Sequence, residues 1–550
     1  MPHRLARSFA LVLSGFTASC MTPYACPFPA ERTEPGLTVV LVIDQLRSDR
    51  LDPSLPGGLG RLAREGRVFP RAALQHGLTE TCPGHAAVAT GRHPGPAGVP
   101  GNSYIEPTTG RSAYCVEDTT PAGVLLDPTG ASGPGRSGRS PAAIRASALG
   151  DWLKQAQPAS RVFAVAGKDR SAIALGGKHP DAAYWYSRAP GVGFTSSRYY
   201  LEALPEWVKT FGAKVAERVP ERWEHDAGGY TAAPDDFEGE SPRYGRTSGH
   251  PVREGDPKLL AERLQATPFW DDVTLAFARE LVERENLGGK GTDLLLLGLS
   301  ATDIVGHLYG PNSHEAADSL RRLDASLGQF LDFLEQRLGR GNVLIGLSAD
   351  HGVLPLPEWL TRQGQQICPV GTGREPYLSL ANAIGAELTR ELKVDARNVR
   401  DWVSFDGVQL GVDREKVRAA GLEPEQLVSV MRRVLDVNPA VARTWTAAEI
   451  RAGTSDVARL YRNSLDPSRP PDLVIQVTEG CLIGVETTGT THGTPYLYDR
   501  AVPVLLWGSG VLAGVDTRDA ASVDLAPTLA ARLGIAAPPD LDGKDLLGER

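Results

Sequence analysis

Residues 294–310 read LLLLGLSATDIVGHLYG, and this stretch decides the fold. Positions 294–299 are an unbroken apolar run, and Ser300-Ala301-Thr302-Asp303 ends it. A run of this length, apolar at every position, is what a strand buried on both faces looks like. The same signature recurs at 37–43 (LTVVLVI), which ends in Asp44. It recurs at 161–166 (RVFAVA) before Gly167-Lys168-Asp169-Arg170, and at 343–347 (VLIGL) before Ser348-Ala349-Asp350-His351. Residues 473–477 and 502–507 read as two more strands of this kind. Helical segments lie between them. In 315–338 the apolar residues Ala317, Leu320, Leu323, Leu327, Phe330, Leu331 and Leu334 fall at three-and-four spacing, and 269–284 and 523–533 are similar. Alternating strand and helix predicts an α/β layered domain with a mainly parallel sheet. Sites in such sheets lie beyond the carboxyl ends of the strands, and polar residues stand at those ends repeatedly here.

Two stretches interrupt the alternation. Residues 216–260 are polar and rich in Pro and Gly, with Tyr230, Phe237 and Tyr244, and read as an inserted loop over the active-site face. Residues 375–470 mix helix-like pieces (414–420 and 424–435) with short strand-like ones and read as a small subdomain inserted between two core strands. At the N-terminus, 1–20 (MPHRLARSFALVLSGFTASC) has Arg4 and Arg7 ahead of a short apolar stretch, the pattern of a secretory signal and too short for a membrane span. The small residues before Cys20 resemble a bacterial lipoprotein cleavage site, although Thr17 stands where Leu is usual; ordinary cleavage nearby is the alternative. Residues 21–36 read as a tether. An exported protein, periplasmic or secreted and lipid-anchored if Cys20 is acylated, is therefore expected.

The 550 residues carry a formal charge of −8, with 41% hydrophobic and 23% charged residues. Such a chain can bury a sizeable core, which excludes wholesale disorder. Its mild acidity argues against a general nucleic-acid binder. The 60 Gly and 42 Pro have no period and imply many loops. Of six cysteines none forms a CxxC pair, so a cysteine zinc site is not expected. Setting Cys20 aside leaves Cys26, Cys82, Cys115, Cys368 and Cys481, an odd number, so at least one is free unless it pairs with another chain; the pairing is not legible in the sequence.

Four clusters carry metal-ligand chemistry. Asp44 ends the first strand, Asp303 and His307 are spaced to share one face of a helix, Asp350 and His351 end a strand before Gly352, and His492 lies in THGTPYLYDR. Three carboxylates and three imidazoles make an oxygen-and-nitrogen donor set suited to zinc. Alone, an Asp after a strand is usually a cap and a lone His usually structural. The set is lifted by its placement at strand ends and in Gly-rich loops.

A fifth cluster is 77–104, GLTETCPGHAAVATGRHPGPAGVPGNSY. Residues 86–90 read as a helix start, which makes Thr81 either a simple cap or a hydroxyl held at a positive helix end, where phosphate oxygens bind. A Thr hydroxyl bound to zinc would lose its proton more easily and become a nucleophile.

Thr-x-Pro-Gly-His, Asp-x-x-x-His, Asp-His-Gly and Thr-His-Gly, in this order, resemble the alkaline phosphatase superfamily, in its type I phosphodiesterase/nucleotide pyrophosphatase-like branch. The chain is most similar there to phosphate-irrepressible alkaline phosphatases that use Thr. The resemblance runs from about residue 37 to the C-terminus, including DLAPTLAARLGI. It implies a three-layer α/β/α sandwich with a mainly parallel central sheet as the catalytic domain, residues 37–550. It implies two Zn2+ per chain: Asp303, His307 and His492 on one, and Asp44, Asp350, His351 and the Thr81 oxygen on the other. Thr81 becomes the nucleophile, with Thr79 as the rival two residues earlier, and His85 is read as structural. It further implies Asn102, Lys168 and Arg170 as groups that contact the phosphoryl oxygens.

Charge favours a monoester over a diester. Two zinc ions bring four positive charges, and Asp44, Asp303, Asp350 and an ionised Thr81 return four negative ones. A monoester carries about two negative charges and a diester one, so additional cations matter for the monoester. Lys168 and Arg170 alternate after a strand and would both face the site if the backbone stays extended. The expected reaction is hydrolysis of small phosphate monoesters through a phosphothreonine by a monomer, with no nucleic-acid partner. A phosphodiesterase or nucleotide pyrophosphatase with the same core is the alternative, a non-catalytic surface lipoprotein that binds phosphorylated ligands a second. A sulfatase is disfavoured because Cys82-Pro83-Gly84-His85 is not a formylglycine site.

Overall fold

The computed structural model describes residues 34–107, 109–126, 138–225, 234–395, 399–484 and 487–548. The signal segment, nearly all of the tether, Cys20, Cys26 and Tyr230 lie outside the described residues.

Nine strands form the main sheet in the order Gly514–Val515, Arg67–Val68, Leu505–Gly508, Val343–Ser348, Leu37–Ile43, Asp293–Leu299, Val162–Ala166, Ala182–Tyr186 and Phe194–Thr195. The five strands from Val343–Ser348 to Ala182–Tyr186 pair in parallel, while Leu505–Gly508 and Phe194–Thr195 run against their neighbours. Every residue of Leu37–Ile43, Asp293–Leu299 and Val162–Ala166 is buried, which is why these segments, Thr38 and Asp293 apart, are apolar along their length rather than at alternate positions.

The pleat still sorts them. Leu37, Val39, Leu41 and Ile43 enter one core with the Gly58–Glu65, Phe269–Glu285 and His314–Leu338 helices. Val40 and Val42 enter the other with the Thr81–Thr90, Leu149–Ala156, Asp169–Gly176 and Leu525–Arg532 helices. Helices on both faces of a mostly parallel sheet make the α/β/α layering. A Leu→Ala change at a wholly buried position such as Leu296 would cost about 2–5 kcal/mol.

Leu473–Val477 corrects the sequence reading. It belongs not to the main sheet but to a four-stranded antiparallel sheet with Val403–Asp406, Gln409–Val412 and Val441–Trp445. That sheet has its own core, formed with the Tyr377–Leu392 and Pro424–Asp436 helices. A strand buried in a small sheet writes the same apolar run as one buried in a large sheet, so the pattern does not tell the two apart.

Within 216–260, Arg222–Trp223 pairs antiparallel with His250–Pro251. Trp223 Nε1 donates to Asp318 Oδ2 of the long helix at 2.8 Å, and Ser241 N donates to Leu308 O at 2.8 Å.

The cysteines pair as Cys82–Cys115 and Cys368–Cys481, closing loops of 33 and 113 residues. Closures of that size stabilise by roughly 4 kcal/mol each in the chain-entropy account.

Candidate active site

The three central strands of the sheet deliver three carboxylates side by side. Asp44 follows Leu37–Ile43, Asp303 lies in the first turn of the Ala301–Tyr309 helix after Asp293–Leu299, and Asp350 follows Val343–Ser348. All three are buried. The next strand contributes Lys168, whose Nζ lies 2.6 Å from Asp44 Oδ2 and 2.6 Å from Asp303 Oδ2. Lys168 is extended, but Arg170 stands in the first turn of the Asp169–Gly176 helix. The alternation expected for Lys168 and Arg170 therefore does not occur; the pair faces the site because a helix starts between them.

The imidazoles are oriented by backbone carbonyls. His307 Nδ1 is 2.8 Å from Thr490 O, His351 Nδ1 3.0 Å from Gly352 O and His492 Nδ1 2.6 Å from Thr79 O. A carbonyl only accepts, so each Nδ1 carries a proton and a neutral ring keeps its lone pair on Nε2. The three Nε2 atoms lie 3.3, 3.9 and 3.7 Å from Asp303 Oδ1. Histidines locked at Nδ1 with Nε2 turned inward are set up as metal ligands.

The electrostatics point to a cation. Burial and the neighbouring Asp350 push the Asp44 carboxyl up to about 7 against the pull of Lys168. Burial also works to raise Asp303 and Asp350, but His307 and Lys168 hold Asp303 well below the usual carboxylate range, and His351 and His85 hold Asp350 below it. Burial and the adjacent His351 and His307 keep His492 far below the ordinary histidine value, hence neutral. Asp44 Oδ1, Asp350 Oδ2 and His351 Nε2 are buried without a hydrogen bond. Orphaned oxygen and nitrogen atoms in one pocket fit a divalent metal of the zinc type.

Asp303, His307 and His492 bring ligand atoms within 4.8 Å of one another, as do Asp44, His85 and Asp350. His85 thus stands inside the carboxylate cluster rather than apart from it. Its Nε2 is 3.2 Å from Asp44 Oδ1, and its Nδ1 is 2.9 Å from Thr81 O and 3.4 Å from Asp350 Oδ2.

Three bracing residues had no legible signal. Gln45 has φ 63, and its backbone N–H donates to Asp350 Oδ1 at 3.0 Å while Nε2 donates to Asp303 Oδ1 at 2.8 Å. A non-glycine residue in this backbone region is uncommon and is held here by the carboxylates of Asp303 and Asp350. Gly306 makes room for it, since a Cβ there would meet Gln45 Oε1 at 1.8 Å. Asp271 Oδ1 accepts from the N–H groups of Ser300 and Ala301 at 2.8 and 3.0 Å, capping from outside the helix that carries Asp303 and His307. Asp499 Oδ2 accepts from Thr494 N and Oγ1 at 2.9 and 2.6 Å and braces the His492 loop.

The helix of the fifth cluster begins at Thr81 itself and runs Thr81–Thr90, with Glu80 at the cap position and no side-chain capping bond. Thr81 is therefore not a cap. Thr81 Oγ1 lies 3.4 Å from Arg170 Nη2 at the positive end of a wholly buried helix. Thr79 is differently employed: its Oγ1 donates to Thr494 O at 3.0 Å and accepts from Gly493 N at 3.2 Å. Gly84 lets this helix lie directly on Asp350, because a Cβ there would meet Asp350 O at 2.2 Å. Gly84→Ala is expected to cost about 1–3 kcal/mol and to lower Tm measurably; an unchanged Tm would contradict this packing.

Asn102 Oδ1 accepts from Cys82 N at 2.8 Å, which fixes the amide and leaves its NH2 free to donate into the adjoining cavity. Arg170 leans on Tyr114: Nη1 is 3.5 Å from Tyr114 OH, which donates to Asp169 Oδ1 at 2.6 Å, while Arg139 Nε donates to Asp169 Oδ2 at 2.6 Å. The Cys82–Cys115 bridge joins the Thr81 helix to the strand that bears Tyr114. A cavity of about 270 Å3, lined by Glu80, Asn102, His307, His492, Tyr377 and Asp406, opens between the sheet ends and the small antiparallel sheet's unit.

Fold and donor set together define a class: an α/β sandwich with a candidate metal centre of Asp and His at its strand ends. Within that class the chain belongs to the type I phosphodiesterase / nucleotide pyrophosphatase family, whose model matches residues 38–495. It is 32% identical over 549 residues to alkaline phosphatase PhoK of Sphingomonas sp, covering 94% of this chain and 91% of that protein. It is 31% identical over 556 residues to a protein of Myroides odoratus named calcium-transporting ATPase, covering 95% and 97%. A crystal structure of alkaline phosphatase PafA matches with a TM-score of 0.83 at 27% identity, covering 93% of this chain and 98% of that one.

Proposed function

We propose that this chain is an alkaline phosphatase that hydrolyses phosphate monoesters through a phosphothreonine formed at Thr81. The observation that carries the reading is the setting of Thr81 Oγ1, a buried hydroxyl at a helix N-terminus with Arg170 Nη2 3.4 Å away. The alkaline phosphatases PhoK and PafA, similar over more than nine-tenths of the chain, support the same activity.

Asp303, His307 and His492 would hold one Zn2+, and Asp44, Asp350, His351 and Thr81 the other. Bound there, the ions would supply Lewis-acid charge to the phosphoryl transfer. Thr81 Oγ attacks phosphorus, the P–O bond to the alcohol breaks, and the alcohol leaves. Water then cleaves the phosphothreonine, which restores Thr81 and releases inorganic phosphate. Arg170, Lys168 and the Asn102 amide donate to the non-bridging phosphoryl oxygens, where negative charge is densest. The 270 Å3 cavity beside His307 and His492 takes the alcohol portion of the ester.

No helix among the described residues is long and apolar enough to cross a membrane. Two disulfides accord with folding in an oxidising compartment and support the exported setting read from residues 1–20.

The test is a paired assay on a nitrophenyl monoester and its bis-ester, before and after chelation. Chelator is expected to lower monoester turnover by at least about 100-fold, and added Zn2+ to restore it. Full turnover in a rigorously metal-free preparation would remove the metal assignment, and a preference for the bis-ester would make the chain a phosphodiesterase.

A further inference from the structure

Away from the strand ends the described residues hold a second gathering of imidazoles and carboxylates, where residues 216–260 meet the start of the His314–Leu338 helix. His225 Nε2 lies 3.3 Å from Asp235 Oδ1 and 3.5 Å from Glu315 Oε1. His250 Nε2 lies 3.1 Å from the same Glu315 oxygen, and His314 Nδ1 lies 3.9 Å from Asp235 Oδ1. The side chains of His225, His250 and Glu315 are 2%, 1% and 0% exposed.

Two observations separate this cluster from an ordinary ion-pair network. First, His225 Nε2, Asp235 Oδ1 and Glu315 Oε2 are buried and make no hydrogen bond. Leaving polar atoms of this kind buried without a hydrogen bond is costly, and three in one place call for a partner. Second, His250 Nδ1 lies 3.2 Å from Tyr244 O and 3.2 Å from Tyr309 OH. With Nδ1 engaged there, the ring aims Nε2 at Glu315 Oε1, 3.1 Å away, where a cation would be held between imidazole and carboxylate.

The spacings are those of a coordination shell. Donors about 2.0–2.1 Å from a tetrahedral Zn2+ stand about 3.3 Å from one another; Glu315 Oε1 lies 3.5 and 3.1 Å from the Nε2 atoms of His225 and His250, and Asp235 Oδ1 lies 3.3 Å from His225 Nε2. The ligand atoms of His225, His250 and Glu315 lie within 4.8 Å of one another, as do those of His225, Asp235 and His314. Asp318 nearby is already engaged by Trp223 Nε1 and Arg322 Nε at 2.8 and 2.6 Å and adds no donor.

We propose that His225, His250 and Glu315 form a structural binding site for a divalent metal of the zinc class, with Asp235 and His314 at its edge. Imidazole-rich sites with carboxylates select zinc-like ions over calcium or magnesium. Among the described residues the site has no threonine or other nucleophile in it, and it joins three chain segments. A metal there staples the 216–260 segment to the long helix, one turn beyond the helix that carries Asp303 and His307.

The experiment uses the full chain and Zn2+ as the probe. Metal content is measured after dialysis for the parent and for Glu315→Gln, an isosteric change that keeps the packing and removes the anionic donor. Glu315→Gln is expected to hold about one zinc per chain fewer than the parent. Tm is then read with and without Zn2+ in a chain carrying Asp303→Asn and His492→Ala, where the strand-end centre is disabled. Zn2+ is expected to raise Tm in that background, and the rise is expected to vanish when Glu315→Gln is added. Should Glu315→Gln fail to fold, Asp235→Asn, at a partly exposed edge of the site, is expected to weaken the Zn2+ response at least about tenfold. Unchanged zinc content in these variants, or no Tm response in the disabled background, would overturn the proposal, because an imidazolium–carboxylate network needs no ion. Because that background lacks the strand-end ligands, its outcome is independent of whether the chain is a phosphatase.

Discussion

Thr81→Ala removes turnover, with kcat/KM on a phosphate monoester falling by at least about 10^3-fold. The expectation rests on position as much as on residue type. Thr81 is the first residue of a buried helix, so its hydroxyl lies among backbone N–H groups that have no partner inside the helix. Its Oγ1 meets Arg170, whereas the hydroxyl of Thr79, two residues earlier, is spent on Thr494 O and Gly493 N. Thr79→Ala should therefore act through the His492 loop, whose imidazole hangs on Thr79 O at 2.6 Å. Thr81→Ser, which keeps the oxygen, should keep measurable turnover. Acid quenching during steady state should yield a phosphorylated peptide that contains Thr81. Wild-type rates in Thr81→Ala, or phosphate found on Thr79 instead, would end the nucleophile assignment.

The second large effect is expected from the cations. Arg170→Ala should lower monoester hydrolysis by about 10^2–10^3-fold and diester hydrolysis by much less, because a monoester carries the additional negative charge. Burial works to lower the Arg170 pKa, but Tyr114 and Asp169 outweigh it and hold the pKa above its ordinary value, so the guanidinium stays charged in the pocket. Lys168→Ala should add to the loss, but with a second consequence. Its Nζ pairs with both Asp44 and Asp303, so the variant disturbs the carboxylates as well. Metal content measured beside the kinetics separates the two roles. Equal losses on monoester and diester in Arg170→Ala would count against the charge argument.

Much of the site was legible because strands buried on both faces leave long apolar runs, and a parallel sheet aligns the ends of those runs. Asp44, Asp303 and Asp350 become neighbours simply because their three strands are adjacent. The four-residue spacing of Asp303 and His307 falls on one helical turn for the same elementary reason. What stayed hidden depends on tertiary approach. Gln45 looks like any polar residue after a strand, yet it ties the carboxylates of Asp303 and Asp350 together. Tyr114 and Asp271 act through partners more than 25 positions away. Arg170 reaches the site from a helix because the chain turns one residue earlier than alternation assumes. The run 473–477 was assigned to the wrong sheet because burial, not sheet membership, sets its composition. His225, His250 and His314 are lone histidines in sequence, and only the fold brings them together.

The cavity beside His307 and His492 has walls of two origins. Tyr377 and Asp406 reach it from a unit with a separate apolar core, while the imidazoles descend from the main sheet. If the cavity takes the alcohol as proposed, changes at the outer wall would retune which alcohols fit without shifting a strand end. On the proposed function, the pocket for the leaving group and the centre that breaks the bond would thus be adjustable one without the other.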